Sequence, residues 1–292
     1  MPGTGMRLHQ ICLPAEAFLK IPQAERALLV ALGHALNEFN IFNRLLIAAS
    51  HFDDEPPQVA YAQSIQMYSI TRVLVGKILE AWKAIDVGFF RSKLSKKYVA
   101  RLHDDQAQAL DRLKKYFSKR NAIADVRNGL AFHFSIETAG TAPKEEINEH
   151  DLSLYIGESR GNCLYPFSET IFNTELMRIT NCATMQEAFA KVIDEVNAVD
   201  KPLHEFAQGV MTLIVEEHIG GAVLKQCSKT VEIESARSLG GRNRPVLYKC
   251  WLVEITVSVW LTHLARHPNA AAHGCCRRRK CDPRVRIVPT EN

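Results

Sequence analysis

The spacing of apolar residues predicts two long helices in the first third of the chain. Leucine and phenylalanine recur every three or four positions from Gln23 to about Ala49, and a second run with the same period extends from about Gln58 to Ile85. The segment between them is acidic and contains two prolines, which ends one helix and starts the next. Because this connection is short, we expect an antiparallel helical hairpin.

The helical pattern continues in three further segments. One runs from Asp104 to about Lys119, with two aspartates in its first turn, where they favour the positive end of the helix dipole. Another covers 122–133. The last extends from about Met185 to Ile219, and Pro202 is expected to kink or split it, because proline removes one helical hydrogen bond.

The remaining segments lack this period and define the predicted domain limits. Residues 1–22 form an irregular lead-in, and residues 23–240 form one helical domain. Alternating residues on both sides of a glycine-containing turn predict a small β-hairpin insertion at about 151–167. Residues 241–292 form an atypical basic tail rich in Cys and Arg, interpreted either as disordered or as the product of an altered reading frame. The predicted fold class is all-α.

Composition and charge narrow the classes of function. A chain of 292 residues with 47% hydrophobic residues can bury a substantial core. The net charge is +4, but the residues from Arg266 onward hold seven Lys/Arg against two Asp/Glu, a net of +5, which leaves −1 for the rest. The body is therefore not a strongly basic nucleic-acid binder, and any electrostatic binding surface on it must be local.

Cysteine use and hydropathy point to a cytoplasmic protein without a membrane span. The first five of the eight cysteines are scattered, which favours reduced thiols over a disulfide framework. The N-terminus lacks a signal-peptide pattern, and the most apolar late stretch, 251–264, is too short to span a membrane. His263 and His267 have the spacing of a helical metal pair, but no C-x2-C motif accompanies them. We predict no metal and no cofactor.

Arg127-Asn128-Gly129-Leu130-Ala131-Phe132-His133 is the best candidate for chemistry. Histidine exchanges a proton near neutral pH, so His133 suits a general acid or base. Arginine stays charged and offers a planar fork of donors, so Arg127 suits the binding of a phosphate group. Asn128 can orient either partner, or the substrate, by hydrogen bonding.

This run resembles the signature of the HEPN superfamily, which is an arginine, a polar residue that is often asparagine, and a histidine after four to six intervening residues. The chain is most similar to the longer HEPN proteins of bacterial abortive infection, over roughly 22–219. The resemblance implies a helical, homodimeric, metal-independent endoribonuclease with Arg127, Asn128 and His133 as catalytic residues, and with RNA and an antitoxin as partners. The alternative is a non-catalytic HEPN-like module that binds RNA, a nucleotide or a partner protein.

The spacing of the motif raises a geometric question. On a regular α-helix, Arg127 and His133 stand about 120° apart and do not share a face. Three solutions stay open: Gly129 relaxes the helix, His133 sits at its end, or two subunits pool their motifs, which we favour.

Structural roles compete with the catalytic interpretation. Arg127 and Asn128 can serve as hydrogen-bonding residues at a helix end, and His133 as a core histidine between two phenylalanines. Glu80, on the second helix, is an acidic residue that either positions Arg127 or forms an ordinary ion pair.

Overall fold

The structure is a computed structural model, and it describes residues 6–50, 56–131, 152–159, 161, 163–220 and 228–233. Their fold class is all-α, as predicted. The helices, in chain order, are α1 Ala15–Lys20, α2 Gln23–Ala49, α3 Pro57–Ile85, α4 Leu94–Tyr98, α5 Asp104–Phe117, α6 Ala122–Val126, α7 Pro166–Thr180 and α8 Met185–His218. Two π-helical turns, Asp86–Arg91 and Arg127–Ala131, and a 3-10 turn, Val99–Arg101, extend α3, α6 and α4.

The two long helices of the predicted hairpin are confirmed almost residue for residue. Each begins directly after a proline, Pro22 for α2 and Pro56 for α3, and Pro57 occupies the first turn of α3, where its missing N–H costs nothing. The helices pack antiparallel. Lys77, late in α3, lies 2.6 Å from Glu38 in the middle of α2, whereas the last turn of α2 packs with the first half of α3.

Helix α8 is the longest helix of the described chain and lies against α2, α5 and α7. Thr184 caps it by accepting a hydrogen bond from Glu187 N at 3.2 Å, and the Glu187 carboxylate accepts from Thr184 N at 3.2 Å. Of the kink or split predicted at Pro202, the split is wrong, because one helix continues through this residue. Pro202 and Leu203 are both buried, and packing on either side holds the turn that lacks a hydrogen bond.

The predicted irregular lead-in is wrong for the described residues 6–22, which contain a strand and a helix. Residues Met6–Ile11 form strand β1, which pairs antiparallel with β2, Ser228–Ile233, so that Met6 lies opposite Ile233. Helix α1 follows β1. A six-residue strand whose partner lies more than 200 positions away has no local signal that the apolar period could reveal.

The predicted β-hairpin at 151–167 is reduced to a single bridge. Tyr155 and Leu164 exchange backbone hydrogen bonds of 2.8 and 2.9 Å, and no further pair extends this ladder within the described residues 152–159, 161 and 163–167. Pro166 instead starts α7, a helix that the periodicity did not predict. Its first turn holds the half-exposed Phe167, so its apolar residues do not form one clear stripe.

The core lies between α2, α3, α5 and α8. Its largest fully buried side chains include Phe39, Phe89, Tyr98, Leu110 and Phe206, which come from four helices and the π-helical turn after α3. Phe206 meets the edge of Phe89 at 5.2 Å between ring centroids. This packing leaves one side of α3 and the α6 segment near the surface.

Residues 241–292, with their His/Cys cluster, lie outside the described residues.

Candidate functional site

Helix α6 and the π-helical turn after it carry the first part of the candidate motif. Asn121 caps α6 by accepting a hydrogen bond from Ala124 N at 2.9 Å. Ile123, Val126 and Leu130 are buried and direct this face into the core. The intervening residues therefore lie toward the surface, and this packing leaves part of the Arg127 side chain exposed to solvent.

Arg127 is held by two side chains at the edge of the protein. Its Nη2 donates to Glu80 Oε1 at 2.7 Å, and its Nη1 donates to Asn128 Oδ1 at 3.2 Å. The Arg127 side chain is 24% exposed, and Asn128 is exposed. The structure thus brings Arg127 and Asn128 together. His133 lies outside the described residues.

Glu80 does approach the motif, as one of the sequence hypotheses held. Its Oε1 also accepts a hydrogen bond from Lys83 Nζ at 3.0 Å, so two cations share one carboxylate. The hydrogen bond from Lys83, followed by that from Arg127, lowers the pKa of Glu80. The carboxylate therefore stays charged at neutral pH and fixes the direction of the Arg127 guanidinium.

The backbone of the motif is not a regular α-helix. Residues Arg127–Ala131 form a π-helical turn, in which hydrogen bonds span one residue more than in an α-helix. The angular offset of about 120° expected for an α-helix therefore does not apply. A methyl group on Gly129 would lie 3.6 Å from Ile179 Cδ1, an ordinary contact, so space alone does not require glycine there. Such turns are often found at functional sites.

A cavity beneath this turn is too small for a substrate. It is lined in part by Val126, Leu130, Thr71 and Leu176, and its volume is about 10 Å³. That volume holds about one water molecule. A ligand of Arg127 would therefore have to approach from outside this cavity.

A second group of charges, which sequence reasoning did not find, joins α2, α4 and α8. The buried carboxylate of Glu25 lies 2.6 Å from Lys97 Nζ and also hydrogen-bonds to His218 Nε2. Glu217 lies 2.5 Å from both Lys97 Nζ and Arg101 Nη1. We call these five residues the Glu25 cluster. They are separated by up to 193 positions, and no short motif links them.

The charges of the Glu25 cluster form a network of ion pairs between helix ends. Burial opposes the ionisation of Glu25, but hydrogen bonds from Lys97 and His218 outweigh it and lower its pKa. Lys97 and then Arg101 lower the pKa of Glu217 to about 2. Burial is the main cause that raises the pKa of the neighbouring Tyr98 to about 12. Each charge is matched by an opposite one, which stabilises the contact between the helix ends.

Among the described residues, no group of three or more His, Cys, Asp or Glu side chains is placed to hold a metal ion. None of the helices described is both long enough and apolar enough to cross a membrane.

Comparisons with protein-family models, with curated proteins and with solved structures found no match to this chain.

Proposed function

We propose that this chain is a HEPN-like endoribonuclease that cuts RNA in the cytoplasm without a metal ion. The observation that carries the proposal is the setting of Arg127: a partly exposed guanidinium, oriented by Glu80 and Asn128, on a π-helical turn. The same turn leads, within two residues, to His133. A fixed cation beside a proton-transfer group is what cleavage of a phosphodiester requires.

The reaction assigns one role to each residue of the motif. The 2′-oxygen of the ribose attacks the adjacent phosphorus and the bond from phosphorus to the 5′-oxygen breaks. His133 either takes the proton of the 2′-hydroxyl or gives one to the departing 5′-oxygen, and water makes the other proton transfer. The products are a 2′,3′-cyclic phosphate and a 5′-hydroxyl. Arg127 neutralises the charge that grows on the phosphoryl oxygens. Asn128 orients Arg127 through the hydrogen bond between their side chains.

The first test is cleavage of a labelled RNA oligonucleotide in EDTA. We expect the natural protein to cut it and both Arg127→Ala and His133→Ala to abolish cutting while the circular dichroism of the helices is retained. Arg127→Lys keeps the charge but loses the planar fork, so we expect a loss on the order of a hundredfold. Lys201→Ala is the control, because Lys201 is also a partly exposed cation that pairs with a glutamate, Glu205 at 3.7 Å on α8.

Binding of the oligonucleotide without cutting, in both the natural protein and the variants, would favour the alternative, a HEPN-like module that only binds RNA. An activity that survives both substitutions would refute the assignment of these residues.

The second test concerns the homodimer. If each site takes Arg127 from one chain and His133 from the other, then mixing the Arg127→Ala and His133→Ala proteins creates one intact site per mixed dimer. Random exchange makes half of the dimers mixed, so about a quarter of the natural activity should return. If both residues act from the same chain, mixing restores nothing.

The proposed biological setting is a toxin or phage-defence system with an antitoxin partner. It predicts that expression of the natural chain arrests bacterial growth and that expression of His133→Ala does not. Equal growth in both cultures, with cleavage confirmed in vitro, would argue against this setting while leaving the nuclease proposal intact.

A further inference from the structure

Positive charge is concentrated in one part of the chain. Residues 83–120 contain eleven Lys/Arg against four Asp/Glu, a net of +7. With +5 in the residues from Arg266 onward, the rest of the chain carries −8. The near-neutral total therefore conceals a strongly basic segment, which comprises the end of α3, α4, α5 and the turns between them.

Part of this charge lies at the C-terminal end of α5 and in the turn after it, where residues 112–120 hold five Lys/Arg and no Asp/Glu. Ala109, Leu110 and Leu113 face the core, whereas Arg112, Lys114 and Lys115 on α5 and Lys119, two residues past its end, are exposed. Arg112 and Lys115 stand three positions apart and are neighbours on the helix surface. We call these four residues the basic face of α5.

The cations of this face are not neutralised within the described part of the chain. None of the four forms an ion pair there, whereas Arg72, Lys77, Lys97 and Arg178 elsewhere are all matched by glutamates. The acidic side chains of α5, Asp104, Asp105 and Asp111, all precede them in the chain. Exposed cations that repel one another and have no carboxylate partner favour an external anion.

A continuous series of contacts connects the basic face to Arg127. Lys114 Nζ lies 5.4 Å from the centre of the Phe90 ring, and Phe117, one turn later on α5, stacks on Trp82 at 4.7 Å. Lys83 follows Trp82 in the chain and shares the Glu80 carboxylate with Arg127.

We infer that the basic face of α5 binds the phosphate backbone of RNA on one side of the scissile bond. That the anion is RNA rests on the proposed function; that a polyanion is bound rests on the charges. Lysine and arginine side chains gathered at one end of a helix contact neighbouring phosphates without reading the base sequence. The surface would therefore position the substrate and leave the choice of sequence to other contacts.

The test measures RNA binding by fluorescence anisotropy in EDTA, in the His133→Ala background so that no cutting occurs. The variant is Lys115→Gln with Lys119→Gln, and the control with the same change in net charge is Lys20→Gln with Lys201→Gln. We expect on the order of tenfold weaker binding for the α5 variant, and a salt slope reduced by about 0.7 for each lost phosphate contact. We expect the control to bind within twofold of the parent.

The outcomes separate this inference from the proposed nuclease. Equal weakening in both double variants, or no weakening in either, would overturn the basic face as a site. If the α5 lysines govern binding but the natural protein never cuts RNA, the inference stands and the nuclease proposal fails. If the natural protein cuts RNA and the α5 variant neither binds more weakly nor raises KM, the nuclease stands and the inference fails.

Discussion

Glu80 Oε1 accepts a hydrogen bond from Arg127 Nη2 at 2.7 Å, which joins the last turns of α3 to the π-helical turn of the motif. The two residues are 47 positions apart, so the contact exists only in the folded chain. It gives Arg127 a fixed direction, which an exposed arginine would not have by itself. A cation that is already oriented stabilises a transition state without losing side-chain freedom at that moment.

Removing the charge of Glu80 should slow catalysis more than it weakens the fold. We expect Glu80→Gln to lower the cleavage rate between about tenfold and a hundredfold, because the guanidinium loses its alignment. The free energy of unfolding should change by less than about 1 kcal/mol, since the pair is partly exposed. Cleavage rates and urea unfolding curves measure both quantities.

Glu38→Gln is the matched control, because it breaks another pair between helices, that of Glu38 with Lys77. We expect this variant to cut RNA at the natural rate. Equal rates for both variants would assign Glu80 a purely structural role.

The Glu25 cluster should make the stability depend on acid. The pKa of Glu217 is about 2 in the folded protein, against an ordinary value of 4.5, and that of Glu25 is lowered as well. A lowered pKa contributes stability above the unfolded value, and that contribution is lost as the pH falls through the folded one. The urea midpoint should therefore decline between about pH 4.5 and pH 2.

Substitution identifies the groups that cause this decline. Glu217→Gln should start from a lower midpoint at neutral pH and show a flatter decline, because the charge that Lys97 and Arg101 match is already gone. The control is Glu16→Gln, an exposed glutamate on α1 that makes no ion pair in the described part of the chain. A decline that is unchanged in Glu217→Gln would contradict the prediction.

The aromatic contact between α8 and the turn after α3 should be essential for stability. Phe206 is fully buried and packs on Phe89, so Phe206→Ala is expected to cost about 3–5 kcal/mol, a large share of the stability of a typical protein. Urea denaturation gives the value. Phe167→Ala, at a ring that is 37% exposed, should cost far less. Similar losses for the two variants would show that the core is not centred on Phe206.

Local patterns in the sequence were sufficient to predict the two long helices. The apolar period, together with the prolines before α2 and α3, predicted both helices to within one residue. Amphipathic spacing is a property of neighbouring positions, so it is visible without the fold. The same reasoning failed for α7, whose apolar residues lack a single stripe, and for β1, whose partner strand is remote in the chain.

The candidate site, too, was predicted only in part from the sequence. The run from Arg127 to His133 is a property of the sequence, and its resemblance to the HEPN signature is what predicts RNA cleavage there. The sequence could name Glu80 as one possible neighbour of Arg127 but could not choose between the catalytic and the structural interpretation.

Only the tertiary structure decided that Glu80 meets Arg127, that the motif turns as a π-helix, and that the cations at the C-terminal end of α5 are exposed. The physical reason is that such contacts depend on how the helices pack. Packing is set by the sum of many weak apolar contacts between segments far apart in the chain, whereas a helix is set by hydrogen bonds four residues apart. The sequence determined which residues are available for chemistry, and the packing of α3 against α6 determined which of them meet.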